Sequence, residues 1–335
     1  MTAQTTPVSY LPHTQTLQAT SRLTWRDRLH HIQARLGIRR EHHRVKPGLY
    51  ALNAPSPESP IFVTSNYTLS FDALRSALKN QPGYLLVLDT FGINVWCAAG
   101  KGTFSTAELV NKIEQTSLKA YTAQRTLILP QLGAPGIAAH EVRRQSRFKV
   151  EFGPVRAEDL PTYLKTQTAT PAMRRVRFNL LDRLVLVPVE LVHYFLPTVA
   201  AAAVSWLLAG WPAALAAVTA YLAGVVLFPV LLPWLPSREF SLKGFILGAL
   251  TALPFALLAL GQTLIPPWLA WARALGILLV ASAAVAYLAL NFTGATPLTS
   301  PTGVQREMTR YIRWMLGFTI AGVIILISQY VIGLA

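Results

Sequence analysis

Of the 335 residues, 52% are hydrophobic and only 13% charged, against about 25% charged in an ordinary soluble protein. Lys and Arg number 30 against 15 Asp and Glu, a net charge of +15, and four fifths of each class lie before Leu184. A polar, basic half is therefore joined to a nearly uncharged one. The single cysteine, Cys97, excludes an internal disulfide, a Cys-based zinc site and an all-cysteine iron–sulfur cluster within one copy.

Residues 1–45 form a basic tail in which Trp25–Leu36 reads as an amphipathic helix. Its expected role is a solvated face with unspecific attraction to anionic lipid. Residues 46–168 form the next domain, in which strand and helix patterns alternate from residue 60. Strands are expected at Pro60–Thr64, Tyr84–Asp89, Arg125–Leu129 and Phe148–Phe152, each followed by a helix: Ser70–Asn80, Ser105–Ser117, Gly136–Gln145 and Glu158–Lys165. Ser105 and Glu108 have capping-box spacing. Four strand–helix units in series predict an α/β, Rossmann-like, doubly wound and mainly parallel sheet. Ligands bind such sheets beyond the carboxyl ends of the strands. Those ends carry Thr64–Tyr67, Asp89–Gly102, Pro130–Gly136 and Gly153–Val155. The loops are rich in glycine and amides and lack a conspicuous acid–base pair, which suits a large planar ligand.

Residues 169–190 are a basic juxtamembrane linker, and 191–335 an all-α transmembrane domain. No charge occurs between Glu190 and Arg238, Lys243 and Arg273, Arg273 and Arg306, or after Arg313. About 20 apolar residues cross a bilayer. Five spans are expected near 191–209, 213–235, 244–264, 269–291 and 314–334, with Gly210-Trp211-Pro212 breaking the first stretch in two. Arg174, Arg175, Arg177 and Arg183, then Arg238 and Lys243, then Arg306, Arg310 and Arg313 occupy connections on one side. By the positive-inside rule this multi-pass protein of the inner (cytoplasmic) membrane has its amino-terminal domain in the cytoplasm and its carboxyl terminus outside. Tryptophans 206, 211, 234, 268, 271 and 314 fall near span ends, as an aromatic belt does. No cleaved signal peptide is read. No span centre is charged, so the helices are expected to anchor rather than transport.

The unusual segment is Phe91–Phe104, at the ligand edge after the second strand. Its Gly100-Lys101 is not a phosphate loop, because Val95 and Gly102 stand where Gly and Ser or Thr are needed. No dinucleotide fingerprint follows the first strand. On spacing alone Cys97 remains open between a small buried hydrophobe and a functional thiol.

The run Asn94-Val95-Trp96-Cys97-Ala98-Ala99-Gly100-Lys101 resembles the signature of the mercury-methylation corrinoid protein family, HgcA. Similar to it also are Pro47–Tyr50, Asn66–Asp72, Gln131–Gly136, Gly153–Ala157, Asp182–Glu190, Asn291–Gly294 and Thr299–Val304, whereas Asn53-Ala54-Pro55 departs from an expected Gly-Asn-Pro. The resemblance covers roughly residues 45–335. It implies a corrinoid (cobalamin-type, cobalt) in the Rossmann-like domain, as in the related corrinoid iron–sulfur protein. Cys97, on a cap helix, is then the axial cobalt ligand and catalytic residue. Asn94, Val95, Trp96, Ala98, Ala99, Gly100 and Lys101 form the cap. Thr64, Asn66, Gln131, Leu132, Gly133, Ala134, Gly153, Pro154 and Val155 surround the macrocycle and its tail.

The better-known corrinoid motif, Asp-x-His-x-x-Gly, is absent, since none of the seven histidines has Asp two positions before it. The implied activity is a corrinoid-dependent methyltransferase that forms methylmercury from mercury(II). Implied partners are the ferredoxin-like HgcB, with two four-iron clusters, as electron donor, and methyltetrahydrofolate or its methyltransferase as methyl donor. The alternatives are a corrinoid methyl carrier of one-carbon metabolism with another acceptor, and a non-enzymatic membrane-tethered binding protein. Nucleic acid is excluded as a partner, because the basic excess sits in the tail and beside the membrane and no recognition module is present.

Overall fold

The computed structural model describes residues 16–39, 42–296 and 301–334. Residues 1–15 of the tail, with Thr299 and Ser300 of the last motif, lie outside the described residues. Contacts divide the chain into two compact units, one running to Val176 and one from Arg177, with residues 35–37 counted in the second.

The first unit runs β1 (Leu17–Ala19), α1 (Trp25–Arg35), β2 (Gly48–Leu52), β3 (Ile61–Ser65), α2 (Thr68–Ala77), β4 (Gly83–Leu88), α3 (Val95–Lys101), α4 (Thr106–Gln115) and α5 (Leu118–Tyr121). There follow β5 (Thr126–Leu129), a 3-10 turn (Gln131–Gly136), α6 (Ala139–Ser146), β6 (Lys149–Phe152), a second 3-10 turn (Ala157–Asp159) and α7 (Leu160–Thr166). The strands form one sheet in the order β1-β2-β4-β3-β5-β6. All neighbours are parallel except β2 with β4.

Side chains alternate across this sheet, so the central strands feed two cores. Val63, Leu86 and Leu88 pack with Phe104, Leu109, Ile113, Val142 and Phe148 on one face. Phe62, Leu85 and Val87 pack with Phe71, Leu74, Leu160 and Tyr163 on the other. Every residue of β4 is buried, which accounts for its continuous apolar run, as expected of a strand covered on both faces.

The four expected strands are present as β3 to β6, and two more extend the sheet. The antiparallel β2 pairs with β4 from Gly48↔Val87 to Leu52↔Gly83, so the sheet is parallel-dominant but mixed. The helix expected from Gly136 begins instead at Ala139, because Gln131–Gly136 winds as a 3-10 turn around Pro135. The expected capping box is half formed. Ser105 Oγ accepts from Glu108 N–H at 3.3 Å, but the Glu108 carboxylate accepts from Asp89 N–H at 2.9 Å instead. It ties α4 to the end of β4.

The second unit comprises α8 (Leu180–Leu184), α9 (Val187–Ala209), α10 (Trp211–Leu222), a π-helical turn (Ala223–Leu227), α11 (Phe228–Leu231), α12 (Phe240–Leu260), α13 (Pro267–Phe292) and α14 (Pro301–Leu334). Five stretches are long and apolar enough to cross a membrane: Leu180–Leu207, Trp211–Leu231, Phe240–Leu260, Pro267–Phe292 and Thr302–Gln329. They correspond one to one with the expected spans. The six tryptophans expected near span ends are all exposed, as are Leu196, Leu207 and Leu264.

Two features differ from the sequence reading. Arg306, Arg310 and Arg313 are not in a connection but on the first turns of α14. There Glu307 accepts from Ser241 N–H and Arg310 pairs with Glu239 at 3.0 Å. Arg183 and Lys243 are buried rather than on a loop surface. Pro233 and Pro236 have no N–H to offer the carbonyls of Pro229 and Leu232. Arg183 donates to Pro229 O at 2.8 Å and Lys243 to Leu232 O at 2.6 Å in their place. Close packing of α12 on α13 rests on Gly244 and Gly248, where a Cβ would lie 2.5 Å from Ala286 Cα and 2.7 Å from Ser282 Cα. This is the small-xxx-small spacing of membrane helix pairs.

Candidate functional site

A cleft of about 320 Å³ opens at the carboxyl ends of β3 and β5. One wall is α2, through Ser70, Ala73 and Leu74; another is the start of α3, through Asn94, Val95 and Trp96. Thr64, Pro130, Leu132, Pro154 and Val155 come from the strand ends. No ionisable side chain lines it. The cleft is mostly apolar and offers no general acid or base; it can hold a large neutral surface at the edge where α/β sheets bind ligands.

Helix α3 is short and defined at both ends. Asn94 caps it, its Oδ1 accepting from Cys97 N–H at 2.9 Å. Gly102 ends it in the left-handed region (φ 79°), a conformation that costs glycine nothing. Thr103 and Phe104 N–H then both donate to Ala98 O. Cys97 is half-buried and carries a free thiol on the first turn. Ala98 and Ala99 face the core, while Gly100 and Lys101 are exposed.

Of the residues expected around the ligand, the cleft gathers Thr64, Asn94, Val95, Trp96, Leu132, Pro154 and Val155. Cys97 is next to three of them in sequence but does not line the cleft. Gln131 accepts from Arg174 at 2.7 Å. Gly133 and Gly136 serve packing: a Cβ on Gly133 would lie 2.6 Å from the Phe104 ring, and one on Gly136 2.0 Å from Phe104 O. Ala134 belongs to the same turn. Gly153 N–H donates to Leu129 O at 2.8 Å.

Asn66 is a peg beneath the loop. Its Oδ1 accepts from Thr90 N–H, Thr90 Oγ1 and Gly92 N–H, and its Nδ2 donates to Asp89 Oδ1 at 3.0 Å. It therefore holds the turn that launches α3. Sequence reasoning missed Ser70, Ala73 and Leu74 as wall residues. Their i, i+3, i+4 spacing places them on one helix face and was the available signal.

The donor set has one further property. Among the described residues, no three His, Cys, Asp or Glu gather as a site for a bare metal ion. A group that carries its metal with it would need from the protein an apolar surface and one soft donor, and here the Cys97 thiol sits on a helix whose preceding residues wall the cleft. The residues fit such a group.

The fold defines an α/β domain with an apolar cleft at the carboxyl ends of its strands, followed by helices of membrane-spanning length. Residues 22–164 match the family described as CdhD, CO dehydrogenase/acetyl-CoA synthase delta subunit. The chain is 33% identical over 114 residues to an acetyl-CoA decarbonylase/synthase complex subunit gamma of Archaeoglobus fulgidus, covering 33% of this chain and 24% of that protein. It is 29% identical over 130 residues to the subunit of the same name from Methanopyrus kandleri, covering 38% and 28%. It is 24% identical over 129 residues to the corrinoid/iron-sulfur protein large subunit of Moorella thermoacetica, again covering 38% and 28%. The chain thus spans about a quarter of the length of these relatives. The family match ends before the first apolar helix.

Proposed function

We propose that this chain is a membrane-anchored, corrinoid-dependent methyltransferase whose acceptor is mercury(II), with Cys97 as the protein's ligand to cobalt. The observation that carries the reading is the Asn94–Lys101 run, with its only thiol on a capped helix whose preceding residues wall the cleft. The name of the Moorella relative supports the coarser part, a corrinoid as the bound group. A bound corrinoid supplies a metal centre that takes up a methyl group and yields it to a soft acceptor.

The chain's own residues do the rest. Cys97 would offer a soft sulfur donor to the metal of such a group. Asn94 fixes the helix that presents it, and Trp96, Val95, Leu132 and Val155 keep water from the cleft. Thr64 and Ser70 supply hydroxyl groups on its walls. Because one cysteine cannot build a cysteine-ligated cluster, reducing equivalents come from a separate protein, and HgcB is the proposed donor. A methylated tetrahydrofolate, or its methyltransferase, is the proposed methyl source. The corrinoid domain is proposed to lie on the cytoplasmic side, a reading that the basic residues flanking the spans support.

The test is anaerobic reconstitution of the full chain with a corrinoid, wild type against Cys97→Ala. Absorption spectra and methylmercury formation are recorded with and without mercury(II). A folded variant with an altered corrinoid spectrum and no methylmercury is expected. An unchanged spectrum removes the ligand assignment. Methyl transfer that proceeds only to a different acceptor replaces mercury with the one-carbon reading.

A further inference from the structure

Helix α1 has two unlike faces. On one, Asp27 Oδ2 lies 2.9 Å from Arg75 Nη2, and His31 Nε2 lies 2.7 Å from Asp72 Oδ2. The other Asp72 oxygen accepts from Arg75 Nε at 2.6 Å. Arg75 also donates to the carbonyls of Thr20 and Arg22. The polar side of α1 is thereby fixed to α2 within the first unit.

The opposite side is apolar. Trp25, Leu29 and Ile32 stand at i, i+4 and i+7, inside an arc of about 60° at roughly 100° per residue. They are 70%, 43% and 55% exposed. At the same spacing Arg28 and Arg35 flank this arc on one edge and Arg26 on the other, all exposed. A helix on a soluble domain ordinarily turns its apolar stripe inward and its ionic groups outward. Here the acid and a histidine point inward and the tryptophan outward. Asp27, the helix's only acidic residue, is already engaged by Arg75, so the flanks present positive charge alone.

We propose that α1 is an interfacial helix, its Trp25–Leu29–Ile32 face seated in an anionic lipid surface. The bilayer in question is the one that the helices of the second unit are long enough to cross. Charge complementarity selects this occupant: guanidinium groups border the apolar arc where lipid phosphates would lie, and tryptophan favours the headgroup level. The proposal rests on the membrane-spanning character of α9 to α14 and is independent of the corrinoid reading.

The experiment places a nitroxide at Leu29→Cys in a Cys97→Ser background of the full chain. The control label sits at Lys119→Cys, exposed on α5. Nanodiscs of phosphatidylcholine alone, or mixed equally with phosphatidylglycerol, are probed with a water-soluble and a lipid-soluble relaxing agent. In the anionic discs, sensitivity of position 29 to the aqueous agent is expected to fall below half that at position 119. Reversing Arg26→Glu, Arg28→Glu and Arg35→Glu together should restore it, without touching the Asp27–Arg75 and His31–Asp72 pairs. Equal aqueous access at positions 29 and 119 in both discs overturns the proposal. So does shielding that is the same in neutral discs and survives the charge reversal, since the face is then covered by something other than anionic lipid.

Discussion

Asn94 Oδ1 accepts the backbone N–H of Cys97 at 2.9 Å, so the residue three places before the thiol starts the helix that carries it. Asn94→Ala removes this cap at a cost of about 1 kcal/mol, and the start of α3 frays. Corrinoid uptake should weaken while the rest of the domain melts almost as wild type. Asn94→Asp, which keeps the acceptor, should restore most of the uptake. Equilibrium dialysis with a corrinoid, alongside thermal melts, checks both.

Asn66 is buried and accepts from three donors of the Thr90–Gly92 turn, of which Thr90 is itself wholly buried. Asn66→Ala leaves the Thr90 and Gly92 N–H groups without their acceptor, while the Thr90 hydroxyl still donates to Ile93 O, and each buried unsatisfied group is costly. We expect a loss of about 3 kcal/mol, measured by chemical denaturation. Hydrogen exchange should be fastest at residues 90–97, because this turn sets the position of α3.

Gly136 approaches Phe104 O and Ala99 Cα so closely that an added methyl would sit 2.0 Å and 3.2 Å from them. Both neighbours are backbone and cannot swing aside. Gly136→Ala should destabilise the domain by about 3 kcal/mol and separate the Gln131–Gly136 turn from α3. The cleft is then distorted even though the substituted residue does not line it. A control at Gly100, where nothing lies within 4 Å, should be nearly silent.

The hold of α1 on α2 is acid-sensitive. Burial alone would raise the Asp27 carboxyl, but the Thr24 backbone N–H, the Arg75 guanidinium and the Thr24 hydroxyl hold it below its ordinary 3.8. A depressed folded-state value means that the stabilisation is fully present above the unfolded value. It is lost as pH falls through the folded one. The Asp27 contribution should therefore be constant near neutrality and decline below about pH 4. Asp27→Asn should flatten that part of the stability profile, as followed by a fluorophore on α1.

In the second unit, Gly248→Val forces α12 away from Ser282 and Ala281, where the missing Cβ would come within 2.7 Å and 3.0 Å of backbone atoms. The expected cost is about 2 kcal/mol, read as a lower unfolding temperature in detergent. Cleft residues in the first unit should keep their hydrogen-exchange protection.

Much of this architecture was legible because short-range physics writes it into local pattern. The charge-free stretches, each long enough to cross a bilayer, became five apolar helices. The buried runs at 61–65 and 83–88 became central strands. The strand pattern put the Asn94–Lys101 run after β4, but that Asn94 caps the helix carrying Cys97 is seen only in the structure. The same local reading could not find β2. Gly48–Leu52 becomes a strand by pairing with β1 and with the edge of β4 that β3 leaves open, both supplied from elsewhere in the chain.

Tertiary structure also assigned tasks that composition leaves open. Asn66 pegs a loop, Glu108 ties α4 to β4 rather than closing its own cap, and Arg183 and Lys243 complete a helix end that prolines leave short of donors. A side chain's periodicity is set by its neighbours along the chain and can be read there. The partner of a buried polar group is set by which distant backbone atom lacks one, and only the assembled fold decides that.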